Sequence, residues 1–279
     1  MAWSIGGKGY VFGGRNAKGE ICHDLWEYDQ GADAWHPLGE QPLPARVNGT
    51  AIAVGEKVYA GLGFNGHAYQ SQAYLQDWWV YSPADSTWSR LADFPNSNTV
   101  GAIPFAEGGK IYCVHGFGTG FSADVVCYDI ASDTWTVIER PNRKEEAAMA
   151  GAGASIGGRH FYGTGYNTTN LDYWYELTLD GEWTKRTAVP GSRETAVCTA
   201  TERYIYLSGG RHFGGLLNKG AVYDDILRYD IRQDKWTLAG HLGHKAENQI
   251  AFSIGGAAYI GLGENDEEGV LSDLYKIED

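Results

Sequence analysis

One theme recurs six times along the chain, and this internal period limits the possible folds more than any other feature. Each copy has a short apolar run that stops at a glycine or a glycine pair. The clearest matches are residues 4–14 and 253–263, and the copies between them stop at Gly63, Gly116, Gly165 and Gly210. A period of this length is typical of architectures in which each unit buries its apolar faces against its neighbours.

Three further marks complete each repeat. An aspartate opens the next apolar run in every copy, at spacings of 53, 47, 48, 53 and 48 residues: Asp24, Asp77, Asp124, Asp172, Asp225 and Asp273. In four copies a tyrosine stands seven residues before a tryptophan: Tyr28/Trp35, Tyr81/Trp88, Tyr128/Trp135 and Tyr229/Trp236. In the fourth copy Glu176 takes the tyrosine's place before Trp183, which predicts a shifted register or a bulge there.

Each repeat is predicted to form four short antiparallel strands, A to D. Strand B ends at the glycines, strand C runs from the aspartate to the tyrosine, and strand D carries the tryptophan. Six such units predict an all-β, six-bladed β-propeller in one domain over residues 1–279. The expected blades span about 1–38, 39–91, 92–138, 139–186, 187–239 and 240–279.

The last blade lacks its outer strand D in this sequence. Either it is three-stranded, or an upstream segment that would close the ring is missing, and we favour the second alternative.

These marks resemble the kelch-repeat family, whose repeats carry a double glycine after strand B and a spaced Tyr and Trp. The resemblance covers essentially the whole chain and implies a propeller. The glycines are expected to permit backbone conformations that a Cβ would block. The Tyr and Trp rings are expected to fill the space between neighbouring blades.

Charge and composition exclude several classes of partner. A formal net charge of −13 argues against binding nucleic acid or anionic membranes. No apolar run reaches the roughly 18 residues of a membrane span. No leader is visible, so the compartment stays open, with a periplasmic or secreted protein that has lost its leader as one alternative. A monomer is expected.

Cysteine and histidine spacing gives no cofactor site, so no metal or other cofactor is predicted. The four cysteines have no CxxC spacing, and the histidines form no HxH or HxxxH pair. Cys113 and Cys127 lie on adjacent predicted strands, and two free buried thiols are favoured over a bond between them.

The predicted propeller places the long B–C loops and the D–A loops on one face, where binding residues usually lie. Five of the twelve arginines converge there: Arg15, Arg46, Arg143, Arg193 and Arg211. Guanidinium groups match carboxylates and planar oxygens, and asparagines with aromatic rings suit a sugar. Alternatively, Arg46 and Arg193 brace the D–A loops. The candidate ligand-binding set is Arg15, Arg46, Asn48, Asn65, Arg143, Tyr166, Asn167, Arg193, Glu194, Arg211, His212, Glu264 and Asn265.

Two functions fit this face. The first is a non-catalytic binding module for a protein partner or for a small anionic or sugar-like ligand. The alternative is a carbohydrate-active epimerase or mutarotase that acts on an anionic sugar such as sialic acid, because sialic-acid epimerases are similar six-bladed propellers. Candidate proton carriers for that reaction are Glu145, Glu146, Glu194 and Glu264. Whether the protein is an enzyme, and by which catalytic residues, stays open at this point.

Overall fold

The computed structural model describes residues 1–66, 73–97, 99–140, 146–178, 183–214 and 220–279, and every regular element in these ranges is a β-strand. The chain separates into two compact units, Met1–Ala148 and Met149–Asp279, which are described in turn. Six antiparallel sheets follow one another in chain order, one for each sequence repeat. The all-β, six-bladed propeller predicted from the sequence is confirmed.

The Met1–Ala148 unit contains three four-stranded sheets. The first comprises β1 (Ala2–Ile5), β2 (Lys8–Arg15), β3 (Ile21–Asp29) and β4 (Ala34–Glu40). The second comprises β5 (Thr50–Val54), β6 (Lys57–Gly61), β7 (Trp78–Ser82) and β8 (Thr87–Arg90). The third comprises β9 (Ile103–Glu107), β10 (Lys110–Val114), β11 (Val125–Asp129) and β12 (Thr134–Ile138). Each sheet is an up-and-down meander whose strands correspond to A, B, C and D.

The Met149–Asp279 unit holds the last three sheets and three small hairpins. The fourth sheet comprises β13 (Ala152–Ile156), β14 (Arg159–Gly163), β17 (Trp174–Leu177) and β18 (Trp183–Lys185). The fifth comprises β19 (Val197–Ala200), β20 (Tyr204–Ser208), β23 (Asp225–Asp230) and β24 (Lys235–His241). The sixth has three strands, β25 (Ile250–Ile254), β26 (Ala257–Gly261) and β29 (Leu274–Ile277).

Each small hairpin lies in a B–C loop of the second unit. They pair β15 (Tyr166–Asn167) with β16 (Thr169–Asn170), β21 (Arg211–His212) with β22 (Ala221–Val222), and β27 (Glu264–Asn265) with β28 (Gly269–Val270). In the first unit, Phe64 pairs with Tyr74 and Phe117 with Phe121 in the same way. The described ends of these B–C loops therefore pair as short antiparallel arms.

The Tyr and Trp marks form the core, as their size predicts. Tyr128 pairs with Trp135 across strands C and D, with ring centroids 4.7 Å apart. The Tyr128 hydroxyl donates to Asp133 in the turn at 2.7 Å, and Asp133 has a left-handed φ of 53°. The indole Nε1 of Trp135 donates to the Ala92 carbonyl at 2.9 Å. Buried polar ends of both rings are thus satisfied within the repeat.

The fourth repeat departs from this register, as its sequence predicts. Trp183 pairs with Leu177, whereas Glu176 pairs with Thr184. The partner of the tryptophan is therefore six residues before it, and the connection is one residue shorter than in the other repeats. Glu176 instead accepts hydrogen bonds from Arg159 and Arg186, and Arg159 holds the pKa of its carboxyl below the ordinary value.

Both thiols whose state was open are free in the structure. Cys113 and Cys127 are buried and are not bonded to each other. Cys113 pairs with Val126, one residue away from Cys127. Burial raises the pKa of the Cys113 thiol to about 12, so it behaves as a small apolar side chain.

Among the residues that the structure describes, no helix is long and apolar enough to cross a membrane.

Candidate functional site

A two-residue bridge marks the loop end of the second to sixth repeats. The residue after the strand B glycine forms an antiparallel bridge with a D–A loop residue that begins its own repeat: Val47 with Phe64, Val100 with Phe117, Met149 with Tyr166, Glu194 with Arg211, and Glu247 with Glu264. The side chains of a bridged pair stand next to each other. The side chains of these pairs therefore determine which chemical groups each loop end presents to a ligand.

Glycine is required beside the bridge because backbone of the D–A loop that begins the same repeat approaches closely. Gly210 has a φ of 85° and donates its N–H to the Ala246 carbonyl of the sixth repeat at 2.8 Å. A Cβ at this position would lie 2.5 Å from the Glu194 carbonyl oxygen. The glycine stops of the sequence therefore hold the bridged pairs at the junction of successive repeats.

Arg46 and Arg193 are fully buried braces. Arg46 forms a bidentate ion pair with Asp77 at 2.6 and 3.0 Å and donates to the carbonyls of Leu62 and Pro44. Both arginines are 0% exposed. Of the two alternatives left open by the sequence, the geometry matches bracing. These guanidinium groups are occupied within the protein, so we leave both residues out of the proposed ligand-binding set.

Arg193 repeats this arrangement in the fifth repeat. It pairs with Asp225 at 2.6 and 2.9 Å, donates to the carbonyls of Gly209, Gly191 and Pro190, and stacks 3.9 Å above the Tyr223 ring. In each case the arginine precedes the bridge residue and meets the aspartate that opens strand C. The repeat aspartates Asp77 and Asp225 therefore orient guanidinium groups.

Arg211 is the centre of a half-buried polar cluster in the Met149–Asp279 unit. Its Nη1 donates to Glu247 Oε1 at 3.0 Å, and its side chain stays 28% exposed while that of Glu247 is 8% exposed. Glu247 also accepts from Thr195 Oγ1 at 3.2 Å. The buried Nε of Arg211 has no hydrogen-bond partner among the described residues. One guanidinium edge is therefore held by the protein and donors remain for a ligand.

Two carboxyl groups in this cluster have raised pKa values. Burial raises the pKa of Glu194, and the charge of Glu247 adds to this effect, although Arg211 and the Asn170 side chain oppose it. Burial likewise raises the pKa of Glu247, with a further contribution from Glu264 and Asp266. Carboxyls with raised pKa beside a guanidinium group are suited to binding hydroxyl groups or to proton transfer.

Two other candidate residues of this unit help to shape the cluster. Glu264 accepts from Asn248 Nδ2 at 2.9 Å. Asn265 organises the β27–β28 hairpin, because its Oδ1 accepts from the backbone N–H groups of Glu267 and Glu268 while its Nδ2 donates to the Lys245 carbonyl.

The remaining candidates of this unit lie on the two neighbouring hairpins. His212 Nδ1 lies 3.0 Å from Ser192 Oγ. Tyr166 packs its ring edge-to-face on Phe213 at 6.4 Å, and Asn167, next to Tyr166 on β15, is half-buried.

The other candidates lie in the Met1–Ala148 unit or outside the described residues. Arg15 is exposed and donates to the Gly19 carbonyl at 2.8 Å, while Asn48 and Asn65 are exposed. The glutamate Glu146 is 2% exposed and forms an ion pair with Arg140 at 3.1 Å. Arg143 and Glu145 fall outside the described ranges. The convergence of the five arginines on one face therefore stays a prediction.

Aromatic rings dominate the loop ends of the second and third repeats. Phe64 packs on Tyr74 at 5.4 Å, Tyr74 on Phe117 at 6.3 Å, and Phe117 on Phe121 at 5.3 Å. All four rings are half-buried. The loop ends of the first unit thus include an apolar row, whereas the Arg211 cluster of the second is charged.

Three contributors to the Arg211 cluster are absent from the predicted set: Asn170, Thr195 and Glu247. The signal for Glu247 and Thr195 was present, because Glu247 holds the bridge position of Val47 and Glu194, and Thr195 holds the position of Asn48. Asn170 could not be found in that way, since its position depends on the tight β15–β16 hairpin, through which its Oδ1 reaches the Phe213 N–H at 2.7 Å.

The raised carboxyl pKa values predict a specific pH dependence of stability. A folded-state pKa above the ordinary value of 4.5 means that the folded chain binds protons more readily than the unfolded chain. Stability is therefore lost as the pH rises from about 4.5 through the folded pKa values. In Glu194→Gln this loss is reduced, so its melting temperature should exceed that of the wild type by a margin that grows with pH and vanishes at low pH.

Thermal unfolding of both proteins between pH 4 and pH 8 would check this expectation. Glu202→Gln is the control, because Glu202 is an exposed glutamate in the A–B turn of the same repeat. A margin that is independent of pH would contradict the prediction.

The comparisons with known proteins agree with the repeat architecture. The family model described as the KLHDC2/KLHL20/DRC7 Kelch-repeats domain matches residues 1–165. A solved structure titled "Structure of YjhT" superposes with a TM-score of 0.80 over 99% of this chain and 93% of that chain, at 17% sequence identity. At this identity the likeness concerns the fold alone.

Curated relatives carry two kinds of name. N-acetylneuraminate epimerase of Pasteurella multocida is 37% identical over 83 residues, 29% of this chain and 22% of the relative. The protein of that name from Yersinia enterocolitica is 24% identical over 194 residues, 70% of this chain and 45% of the relative. Kelch-like protein terF of Aspergillus terreus is 26% identical over 271 residues, 82% of this chain and 56% of the relative. The chain thus spans about half or less of the length of these relatives.

Proposed function

Because the chain belongs to the kelch-repeat family, we propose that it is a binding module whose ligand lies on the B–C and D–A loop ends of the Met149–Asp279 unit. The observation that carries the proposal is Arg211, whose half-buried side chain is held by Glu247 while its Nε has no hydrogen-bond partner among the described residues. Loop ends on a rigid scaffold are the usual place for binding residues. Convergent donors and acceptors of this kind fix the orientation of a polar ligand.

The charges of the cluster favour a hydroxyl-rich ligand such as a sugar. The carboxyl groups of Glu194 and Glu247 lie near one guanidinium group, and Glu264 lies near enough to Glu247 to raise its pKa. Carboxylates accept hydrogen bonds from sugar hydroxyls, and the guanidinium donates to their oxygens. Arg46, Arg193 and Arg211 each pair with a carboxylate of the protein, so the described residues support the sugar-like alternative more than a purely anionic one.

Binding of four sugars would test the proposal. We expect saturable binding, by calorimetry and thermal shift, of at least one among galactose, N-acetylglucosamine, glucuronic acid and N-acetylneuraminic acid. Arg211→Ala should weaken it by roughly 10- to 100-fold, because it removes charge-assisted hydrogen bonds worth about 1.5–3 kcal/mol.

The matched control is Arg203→Ala, which removes an exposed arginine from the A–B turn of the same repeat. It should bind the sugar as the wild type does. Equal affinity in Arg211→Ala would overturn the proposed site, and binding of none of the four sugars would favour a protein partner, for which the apolar row Phe64, Tyr74, Phe117 and Phe121 offers hot-spot residue types.

A second candidate function is an epimerase or mutarotase acting on an anionic sugar such as sialic acid. The raised pKa values of Glu194 and Glu247 favour it, since a general acid must hold a proton close to the working pH. Two relatives named N-acetylneuraminate epimerase support the same substrate class. Anomer exchange of N-acetylneuraminic acid, followed by NMR, would rise above the buffer rate in the wild type and fall in Glu194→Gln. Binding without faster exchange leaves the non-catalytic module.

A further inference from the structure

One buried side chain in the sixth repeat breaks the pattern of the other repeats. Two positions after the bridge residue, the second to fifth repeats have only glycine or alanine: Gly49, Ala102, Gly151 and Ala196. The sixth repeat has Gln249 at this position, and this residue is only 6% exposed. A long amide thus stands where the repeat otherwise allows no more than a methyl group.

A glycine in the fifth repeat, at a position where the first repeat also has one (Gly13), makes room for it. The residue before the strand B glycine is Leu62, His115, Thr164 and Leu262 in the second, third, fourth and sixth repeats. In the fifth repeat it is Gly209, and a Cβ there would lie 2.3 Å from Gln249 Oε1. The Gln249 side chain therefore occupies the space that a side chain at position 209 would fill.

Simple space filling does not account for an amide. Among the described residues neither Nε2 nor Oε1 of Gln249 has a hydrogen-bond partner. A buried amide without partners destabilises the folded chain, whereas leucine or methionine would fill the same volume without that penalty. An unpaired buried polar group therefore calls for a partner that binds there.

The amide lies beside the backbone that carries the Arg211 cluster. It contacts Gly209, two residues before Arg211, and it follows Glu247, the ion-pair partner of Arg211, by two residues. The Nε of Arg211 and the hydroxyl of Thr164 are also buried without partners in the described part of the chain. Thr164 occupies the position of Gly209 in the preceding repeat. Buried polar groups without described partners thus occur at the Thr164 position of the fourth repeat and beside the equivalent Gly209 position of the fifth.

We propose that Gln249 is a specificity-determining residue, whose carboxamide hydrogen-bonds a hydroxyl or amide group of the ligand held at Arg211. This assignment rests on the proposed function. An amide offers both a donor and an acceptor, so it selects ligands with a polar group at that point and disfavours deoxy analogues.

The test replaces Gln249 by leucine, which keeps the volume, and measures two properties. The melting temperature of Gln249→Leu should equal or exceed that of the wild type, because no hydrogen bond within the protein is lost. Its affinity for the best-bound of galactose, N-acetylglucosamine, glucuronic acid and N-acetylneuraminic acid should fall by roughly 2- to 10-fold, as expected for one neutral hydrogen bond. Gln233→Leu, at an exposed glutamine in the C–D turn of the fifth repeat, is the control and should change neither property.

Two results would overturn the assignment. A lower melting temperature would mean that the amide is satisfied in the unliganded protein. An unchanged affinity in Gln249→Leu, when the wild type binds the sugar, would mean that the amide does not contact the ligand, and this leaves the proposed function intact. If the wild type binds none of the four sugars, the proposed function fails and the assignment fails with it.

Discussion

Replacing Arg46 by alanine is expected to lower the free energy of unfolding by about 3–5 kcal/mol, the range for breaking a buried ion pair by removing one partner. Arg46 is fully buried, and its side chain joins the D–A loop to Asp77 at the start of strand C. Alanine would leave the Asp77 carboxylate in a poorly hydrated site without its counter-charge. The Leu62 and Pro44 carbonyls would lose their donors as well. Urea unfolding of the whole chain measures the change.

Two further variants make this expectation specific. Arg90→Ala removes an exposed arginine that pairs with Asp93 at 2.9 Å, and it should cost less than about 1 kcal/mol. The double variant Arg46→Leu/Asp77→Leu removes both buried charges and should be more stable than Arg46→Ala. A loss for Arg46→Ala as small as that for Arg90→Ala would show that the buried pair does not brace the loop.

The second large effect is expected at Gly163, where strand B ends in the fourth repeat. A Cβ at Gly163 would lie 2.0 Å from the Tyr173 carbonyl oxygen and 2.8 Å from the Trp174 ring. Gly163→Ala therefore forces β14 and β17 apart and disturbs a fully buried tryptophan. We expect a loss of about 3 kcal/mol, at the upper end of typical overpacking penalties. Chemical unfolding followed by tryptophan fluorescence would report it.

Gly240→Ala is the matched control for this substitution. Gly240 also lies in a strand, β24, but a Cβ there would meet nothing within 4 Å and its φ is not in the left-handed region. Alanine should therefore change stability by no more than about 0.5 kcal/mol, as for surface sites in general. Similar losses at both glycines would mean that loss of glycine flexibility, and not the close approach of the strands, sets the effect.

The fold could be predicted from the sequence because its marks are local and repeated. The glycine stops, the strand C aspartates and the Tyr–Trp pairs each encode one contact within a repeat, such as Tyr128 with Trp135. The changed strand register of the fourth repeat was also predictable, because Glu176 stands where the other repeats have the tyrosine. Strand periodicity and turn residues were enough for the strands themselves.

The candidate site was only partly predictable, because charge alone does not say where a side chain points. The sequence does not distinguish Arg193 from Arg211. Arg193 is buried in an ion pair with Asp225, whereas Arg211 is partly exposed beside Glu247. Which carboxylate meets which arginine depends on contacts between residues 30 or more positions apart. The aspartates at the start of strand C appeared only as repeat markers, although Asp77 and Asp225 are the partners that bury Arg46 and Arg193.

The bridged pairs of the second to sixth repeats vary on a common framework of glycine stops and Tyr–Trp pairs, although neighbouring loop ends touch, as Arg211 and Glu247 do. Changing a bridged pair such as Val47 and Phe64 alters neither the glycine stop nor the Tyr–Trp core beneath it. Ligand recognition in such a chain can therefore diversify through substitution of the two bridged residues of a repeat, while the scaffold stays the same. Transplanting Glu and Arg into positions 47 and 64 is a direct route to a redesigned loop end on an unaltered scaffold.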